Sequence, residues 1–404
     1  MIILYNAAGY KPAYNIGGPI HTVSAVAERL AARGHRVIVA ATDSNLTERL
    51  DVDTGMWHDV DGVEVRYFRM SDSWTKRIPL DYFRKSNADY RTPDLRPWID
   101  ACGIRFDVIH SQLPFIHANR VCSEFAERNG VPYFYSQHGV FDTVRLRHRG
   151  LKKRLYLALW ELPACRRATA LIALTEHDAE TYRALGLNDR IEVIPNGIDL
   201  PEEKSAPWPY PNFPVRDGRP LVLFMSRLHP LKGPDLALEA FRIARAAARD
   251  ALLVIAGPDE YQMAAKLSAR VREAGLEGGV LIPGPVTGAA KSALLQRCNV
   301  FILPTESEGF SMAILEAMAH GCAVLTTHGA HFPELEDAGA GSLCAREPDA
   351  LGCRLAALLA DPNLTEEMGR RARWLVEERF SWDSITDRLE SLYMECAQLA
   401  AETA

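Results

Sequence analysis

The sequence predicts an α/β protein built as two Rossmann-like domains. Three observations carry that prediction. The chain opens with the order strand, loop, helix, strand. After a proline-rich stretch near residue 200 the same order begins again and continues to about residue 345. The 404 residues give length for two domains of ordinary size. Strands that alternate with helices build parallel sheets covered on both faces.

Composition narrows the class. A hydrophobic share of 48% with 24% charged residues is that of a globular protein with a sizeable core. The net charge of −6 argues against nucleic acid as the main partner. No apolar run reaches the roughly 20 residues that a membrane-spanning helix needs. The opening MIILYNAAGY lacks a basic lead and a long apolar core, so it reads as a first strand and not as a signal peptide. None of the eight cysteines forms a Cys-x-x-Cys pair, and most lie in apolar contexts. They read as reduced core thiols of a cytoplasmic protein, with no zinc site.

The first strand is Ile2 to Tyr5. The loop Asn6 to Gly18 ends in Asn15-Ile16-Gly17-Gly18-Pro19, and Ile20 to Arg33 is an amphipathic helix with Pro19 near its first position. Gly34 closes it before the strand Arg36 to Ala41. Gly17 and Gly18 allow a tight turn, or a close backbone approach to a phosphate at a helix N-terminus. The Gly-x-Gly-x-x-Gly spacing of nicotinamide-dinucleotide sites is absent. Two Asp-x-Asp triplets follow, Asp51–Asp53 and Asp59–Asp61. Asp61-Gly62 precedes the alternating strand Val63 to Phe68, so the second triplet reads as a turn, and no metal is expected. Residues 71 to 98 read as an irregular connection.

Asp107 to His110 is predicted as a strand with His110 at its carboxyl end. Phe115 to Asn129 is a helix. Val131 to Ser136 is a strand running into Gln137-His138-Gly139. Ligands of open parallel sheets bind beyond the carboxyl ends of strands, which makes His110 and His138 candidates. Residues 145–167 (RLRHRGLKKRLYLALWELPACRR) interleave basic and apolar side chains. They read either as a solvated helix face or as an interfacial patch on anionic lipid. Thr169 to Leu174, Glu176 to Leu185 and Ile191 to Ile194 complete the half as strand, helix, strand.

Five prolines between Pro207 and Pro220 mark a linker. The strand Leu221 to Met225 runs into SRLHPLKG, with Arg227 and Lys232 at a strand end and a helix start. A planar fork and a compact ammonium there suit a diphosphate. The strands Ala251 to Ala256 and Val280 to Pro283 follow, then the helix Lys291 to Cys298. The densest stretch is QRCNVFILPTESEGFSMAILEAMAHGCAVLTT, residues 296–327. Val300 to Pro304 is a buried strand, Ser311 to His320 an apolar helix with Gly321 as its cap, and Ala323 to Leu325 the next strand. Glu308 precedes that helix and Glu316 lies inside it. A buried carboxylate needs a partner. Either each Glu closes an internal ion pair, or both accept hydrogen bonds from a polyhydroxylated ligand that also meets the amides of Gly309, Phe310 and Ser311.

The motif LPTESEGFSMAILEAMAHGCAVL, with SRLHPLKG, the Gly17-Gly18 loop, His138 and Pro195-Asn196-Gly197-Ile198-Asp199, resembles the retaining, nucleotide-sugar-dependent glycosyltransferases of GT-B fold (group 1, family 4 type). The resemblance runs nearly end to end and is thinnest over residues 43–100. It implies two Rossmann-like domains facing across a cleft. Residues 1–199 would form the acceptor-side domain, 200–218 the linker, and 219–379 the nucleotide-sugar domain, with a helix from 380–404 packing back on the first. It implies that Arg227 and Lys232 neutralise the departing diphosphate, that Glu308 contacts the donor sugar and that Glu316 holds the ribose. Gly17 and Gly18 would lie near the diphosphate and the acceptor. His138 would serve near the reacting sugar, and Asn15 and His110 on the acceptor side. Ser311 departs from the family pattern, where many members carry a second glycine.

The expected reaction is transfer of a sugar from a nucleoside diphosphate sugar to an acceptor hydroxyl, with retention and without a metal or other cofactor. The acceptor class is a glycan or a lipid-linked glycan in cell-surface polysaccharide or glycolipid assembly. The expected location is the cytoplasm, at the inner membrane face if the basic stretch binds lipid. The competing readings are a nucleotide-sugar epimerase on the same architecture and a catalytically silent sugar-nucleotide-binding protein.

Overall fold

The structure is a computed structural model. It describes residues 1–46, 48–71, 91–114, 116–138, 159, 161–202, 206–211, 213 and 219–403. The chain divides into two compact units. Unit 1 comprises Met1–Gly197 and Trp382–Ala404, and unit 2 comprises Ile198–Ser381. Most of the basic stretch 145–167, and residues 203–205, 212 and 214–218 of the predicted linker, lie outside the described residues.

Unit 1 holds an eight-stranded sheet. Its strands are β1 (Ile2–Ala7), β2 (Arg36–Thr42), β5 (Trp57–Val60), β6 (Val63–Phe68), β7 (Val108–Gln112), β8 (Tyr133–Ser136), β9 (Ala170–Ala173) and β10 (Ile191–Val193). The small pair β3 (Ser44–Asn45) and β4 (Glu48–Arg49) stands apart from it. The order is β10-β9-β8-β7-β1-β2-β6-β5, parallel throughout except for the β5–β6 hairpin. Asp61 and Gly62 turn that hairpin, both at positive φ, as the Asp-Gly pair predicts. Successive side chains of β1 alternate between two cores. Leu4 packs with Ile38 and Ile109 on one face, while Ile3 and Tyr5 pack with Val37 and Val39 on the other. The second core is closed by the helix Trp382–Thr403, which contributes Ile385, Leu389 and Tyr393. An ion pair of Glu390 with Arg33 and a hydrogen bond between Glu390 and His35 Nε2, each at 2.6 Å, tie this helix to the end of the helix Gly18–Ala32.

Unit 2 holds a six-stranded, all-parallel sheet of β11 (Leu221–Met225), β12 (Leu252–Ala256), β13 (Val280–Gly284), β14 (Val300–Leu303), β15 (Ala323–Thr327) and β16 (Gly341–Cys344). The order is β13-β12-β11-β14-β15-β16. β11, β12, β14 and β15 are buried along their whole lengths, which is why they read as unbroken apolar runs. The chain winds outward from β11 to β13, then returns to the other side of β11 for β14. The winding therefore reverses between β11 and β14, and in unit 1 it reverses between β1 and β7. Among the described residues no helix is long and apolar enough to cross a membrane.

Candidate active site

At the reversal point of unit 2 the loops after β11 and β14 leave neighbouring strands in opposite directions, which opens a crevice at their carboxyl ends. These two loops carry Arg227, Lys232 and Glu308. Backbone contacts lock them together. The Glu306 amide donates to the Leu231 carbonyl at 2.7 Å, and the Thr305 hydroxyl donates to the same carbonyl at 3.2 Å. The loop after β15 joins them, because the Glu308 amide donates to Gly329 O at 2.9 Å. Gly233 is required here. It has φ of 68°, and a Cβ on it would lie 2.4 Å from the Pro304 carbonyl oxygen.

Both carboxylates have lysine partners. Glu308 is buried, and its Oε1 accepts from Lys232 Nζ at 2.5 Å. Glu316 is half-buried on the helix Met312–Ala319, and its Oε1 accepts from Lys291 Nζ at 2.6 Å. The Ser311 hydroxyl caps this helix by accepting from the Ile314 amide, the role a capping serine fills. The cap residue at the other end is His320, and Gly321 follows it at φ of 74°, one position beyond its predicted place. The amides of Gly309, Phe310 and Ser311 donate to no group among the described residues. They stand at a helix N-terminus, where donors are unpaired by construction. The Phe310 ring packs against Phe332 and Phe380, so its side chain anchors the loop.

Arg227 is exposed, with its guanidinium 3.6 Å from Glu260. His229 Nδ1 accepts from the Leu231 amide at 3.0 Å, and its ring stands edge-on to Tyr261 at 4.3 Å. Burial, with Arg227 and Lys232 adding to it, holds the His229 ring below its ordinary value. Arg346, beyond β16, donates to Pro304 O at 3.1 Å and to Pro230 O at 2.8 Å, stitching the two loops from outside.

Lys291, His229, Tyr261 and Arg346 escape a reading of the sequence. Lys291 is one polar residue on an otherwise ordinary helix, Gly288–Arg297, and only the fold brings it to Glu316. Arg346 has no sequence signal at all. The place of His229 inside SRLHPLKG was the one available hint.

The remaining candidates belong to unit 1. Asn15 is exposed, and its amide donates to Asn45 Oδ1 at 3.0 Å. Gly17 has φ of 99°, and among the described residues nothing lies within 4 Å of a Cβ placed on either Gly17 or Gly18. His138 follows β8 in the left-handed region, φ 51°, with Nε2 2.7 Å from Gln112 Oε1. Burial pushes its ring down to about 4.

His110 differs from expectation. It is the third residue of β7 and not its end, because Ser111 and Gln112 continue the pairing with β8. It is fully buried. Its Nδ1 meets Tyr393 Oη at 2.5 Å and its Nε2 meets Ser136 Oγ at 2.8 Å, with Tyr5 Oη 2.9 Å beyond Tyr393. Both ring nitrogens are therefore spent inside unit 1. A cavity of about 30 Å³, room for one water, borders His110, Gln112, Ser136, His138 and Asn196.

Among the described residues no three His, Cys, Asp or Glu side chains converge as metal ligands. Asp59 and Asp61 instead serve the hairpin. Asp59 Oδ1 accepts from the Gly62 amide, and Asp61 pairs with Lys11 at 2.8 Å.

Two family models match the chain. Residues 16–202 match Glycosyltransferase Family 4, and residues 211–375 match Glycosyl transferases group 1, so that together they cover most of the sequence. A D-inositol 3-phosphate glycosyltransferase of Xylanimonas cellulosilytica is 29% identical over 244 residues, which are 57% of each chain. The chain thus spans little more than half the length of that relative. The sucrose-phosphate synthase of Thermosynechococcus elongatus superposes over 98% of this chain and 99% of its own, with TM-score 0.68 and 19% identity. Anabaena HepE, solved in complex with UDP-glucose, covers 98% and 100%, with TM-score 0.67 and 18% identity. These last two likenesses are of fold, the GT-B arrangement of α/β domains. The chain belongs to the glycosyltransferases of the group 1, family 4 type.

Proposed function

We propose that the protein is a retaining glycosyltransferase that moves a sugar from a nucleoside diphosphate sugar to an acceptor hydroxyl. One observation carries the reading. The reversal point of unit 2 gathers an exposed Arg227, the Lys232–Glu308 pair and three amides without a partner among the described residues beside one helix start, with Glu316 on that helix paired to Lys291 of the helix Gly288–Arg297. Breaking an anomeric bond leaves negative charge on the diphosphate, and preorganised cations stabilise charge where it develops. Arg227 and Lys232 supply them. Glu308 orients the sugar through its hydroxyls, the amides of Gly309, Phe310 and Ser311 meet the donor, and Glu316 accepts from the ribose. No metal or other cofactor takes part in this scheme.

A double displacement needs a carboxylate nucleophile at the anomeric carbon. Glu308 is engaged by Lys232, so we favour attack by the acceptor on the face the diphosphate leaves. Trapping a covalent glycosyl-enzyme would sink that choice. On unit 1 we assign Asn15, Gly17, Gly18 and His138 to the acceptor side. A ring held neutral down to about pH 4 suits His138 to hydrogen bonding. His110, with both nitrogens used, has only an indirect part. The proposed acceptor is a glycan or lipid-linked glycan of the cell surface. The basic residues 145–167 would meet anionic lipid at the inner membrane face of the cytoplasm.

The test is a thermal-shift panel of UDP- and GDP-sugars on the wild type, Arg227→Ala and Glu316→Ala. A ligand at a hundred times its Kd stabilises the native state by about 2.7 kcal/mol. One nucleotide sugar should raise the wild-type Tm and leave both variants unmoved. No shift with any donor, or equal shifts in all three proteins, removes the donor site from unit 2.

A further inference from the structure

The two carboxylates of the site are treated alike by the fold. Each has one lysine from a different element, and each lysine meets one oxygen. Lys232 reaches Glu308 from the loop after β11. Lys291 reaches Glu316 from the helix Gly288–Arg297, a neighbour that no motif of the sequence ties to the site. Lys232 already has a task in the diphosphate. Lys291 has none.

We propose that Lys291 is a positioning residue for nucleotide recognition: it fixes the Glu316 carboxylate so that both oxygens accept from the vicinal hydroxyls of a ribose. This rests on the donor reading given above. A carboxylate receives a vicinal diol well when its two oxygens lie in the plane of the two O–H groups. A glutamate side chain has three rotatable bonds, and freezing them on binding costs conformational entropy. The Lys291 ammonium, 2.6 Å from Oε1, holds that plane before the ligand arrives. Among the described residues Oε2 has no partner, and Oε1 keeps a second lone pair. The pair is partly open to solvent, at 35% and 24% side-chain exposure. A solvated ion pair adds little to stability. Holding geometry at a ligand-facing rim is what such a pair contributes. The neighbouring His320 does not compete, because its Nδ1 bonds the Glu316 main-chain carbonyl at 2.8 Å and not the carboxylate.

The experiment measures binding of UDP, GDP and their 2′,3′-dideoxy forms by calorimetry, on the wild type, Lys291→Met, Lys291→Gln and Lys291→Arg. Two hydroxyls bonded to a charged acceptor should favour the ribose form roughly tenfold or more in the wild type. In Lys291→Met and Lys291→Gln that ratio should fall toward one, with the dideoxy form bound much as before. Lys291→Arg should restore most of it, since a guanidinium also holds a carboxylate. If Lys291→Met keeps the wild-type ratio, or weakens ribose and dideoxy forms equally, Lys291 has no positioning role and the donor site still stands. If the wild type itself binds both forms alike, the ribose role of Glu316 fails and this inference goes with it.

Discussion

Lys232 Nζ and Glu308 Oε1 stand 2.5 Å apart, one on each side of the point where the winding of the unit 2 sheet reverses. The pair joins loops 76 residues apart in sequence and is almost wholly removed from solvent, at 12% and 8% side-chain exposure. Removing one member leaves an uncompensated charge, which typically costs about 3–5 kcal/mol. Lys232→Met should therefore lower the urea midpoint markedly. The double variant Lys232→Met, Glu308→Gln should recover part of the loss, because two neutral groups of similar shape remain. A Lys232→Met protein as stable as wild type would show that the pair carries no structural weight.

Gly233→Ala should destabilise by at least about 2 kcal/mol, since an L-residue at this φ is strained and its Cβ meets the Pro304 carbonyl. Chemical denaturation measures it. Because the clash pushes the β14 loop, donor-induced thermal shift should fall as well. A neutral substitution would mean that the two loops are not held as close as described.

Arg346→Met removes two hydrogen bonds, to Pro304 O and Pro230 O. The expected loss is about 1–2 kcal/mol, or a few degrees in Tm. Nucleotide-sugar affinity should weaken with it, although Arg346 has no assigned contact with the donor. Loss of stability with unchanged affinity would confine Arg346 to packing.

The third residue of β7 sets an acid limb. Burial, with His138 adding to it, pushes His110 down to about 3 from its usual 6.5. Between those limits the unfolded chain binds the extra proton, so stability rises with pH. The neutral ring's contribution is complete above about 6.5 and is lost as pH falls toward about 3. Denaturation midpoints of wild type should drop through that window. His110→Gln should show a shallower drop, with a residue remaining from His138. Parallel curves for the two proteins would exclude His110 as its source.

The strands were legible because buried parallel strands are continuous apolar runs between turn residues, as Val300–Leu303 before Pro304 shows. The Asp61-Gly62 turn was legible from its dipeptide. What the sequence hides is what tertiary contact alone decides. β7 runs two residues past His110 through Ser111 and Gln112, polar residues that would end a strand on hydropathy but are buried by pairing with β8. The lysine partners of Glu308 and Glu316 come from elements 76 and 25 residues away. Arg346 shows only in space, since its hydrogen bonds go to main-chain carbonyls and its ion-pair partner, Glu306, lies on the distant loop after β14.

The helix Trp382–Thr403 has a consequence for the order of events during synthesis. Tyr393 closes the polar knot with His110 and Tyr5, and Ile385 and Leu389 fill the core beneath β1 and β2. Unit 2, by contrast, begins and ends in one place, where Ile198 bridges Ser381 and its amide meets Phe380 O at 2.8 Å. The ribosome thus delivers every residue of unit 2 before it delivers the last helix of unit 1. The first 197 residues emerge early but wait, with an apolar face uncovered, for a segment nearly two hundred residues downstream. A released chain that ends at Ser381 should hold a finished unit 2 beside an unfinished unit 1, and should depend on chaperones for the latter.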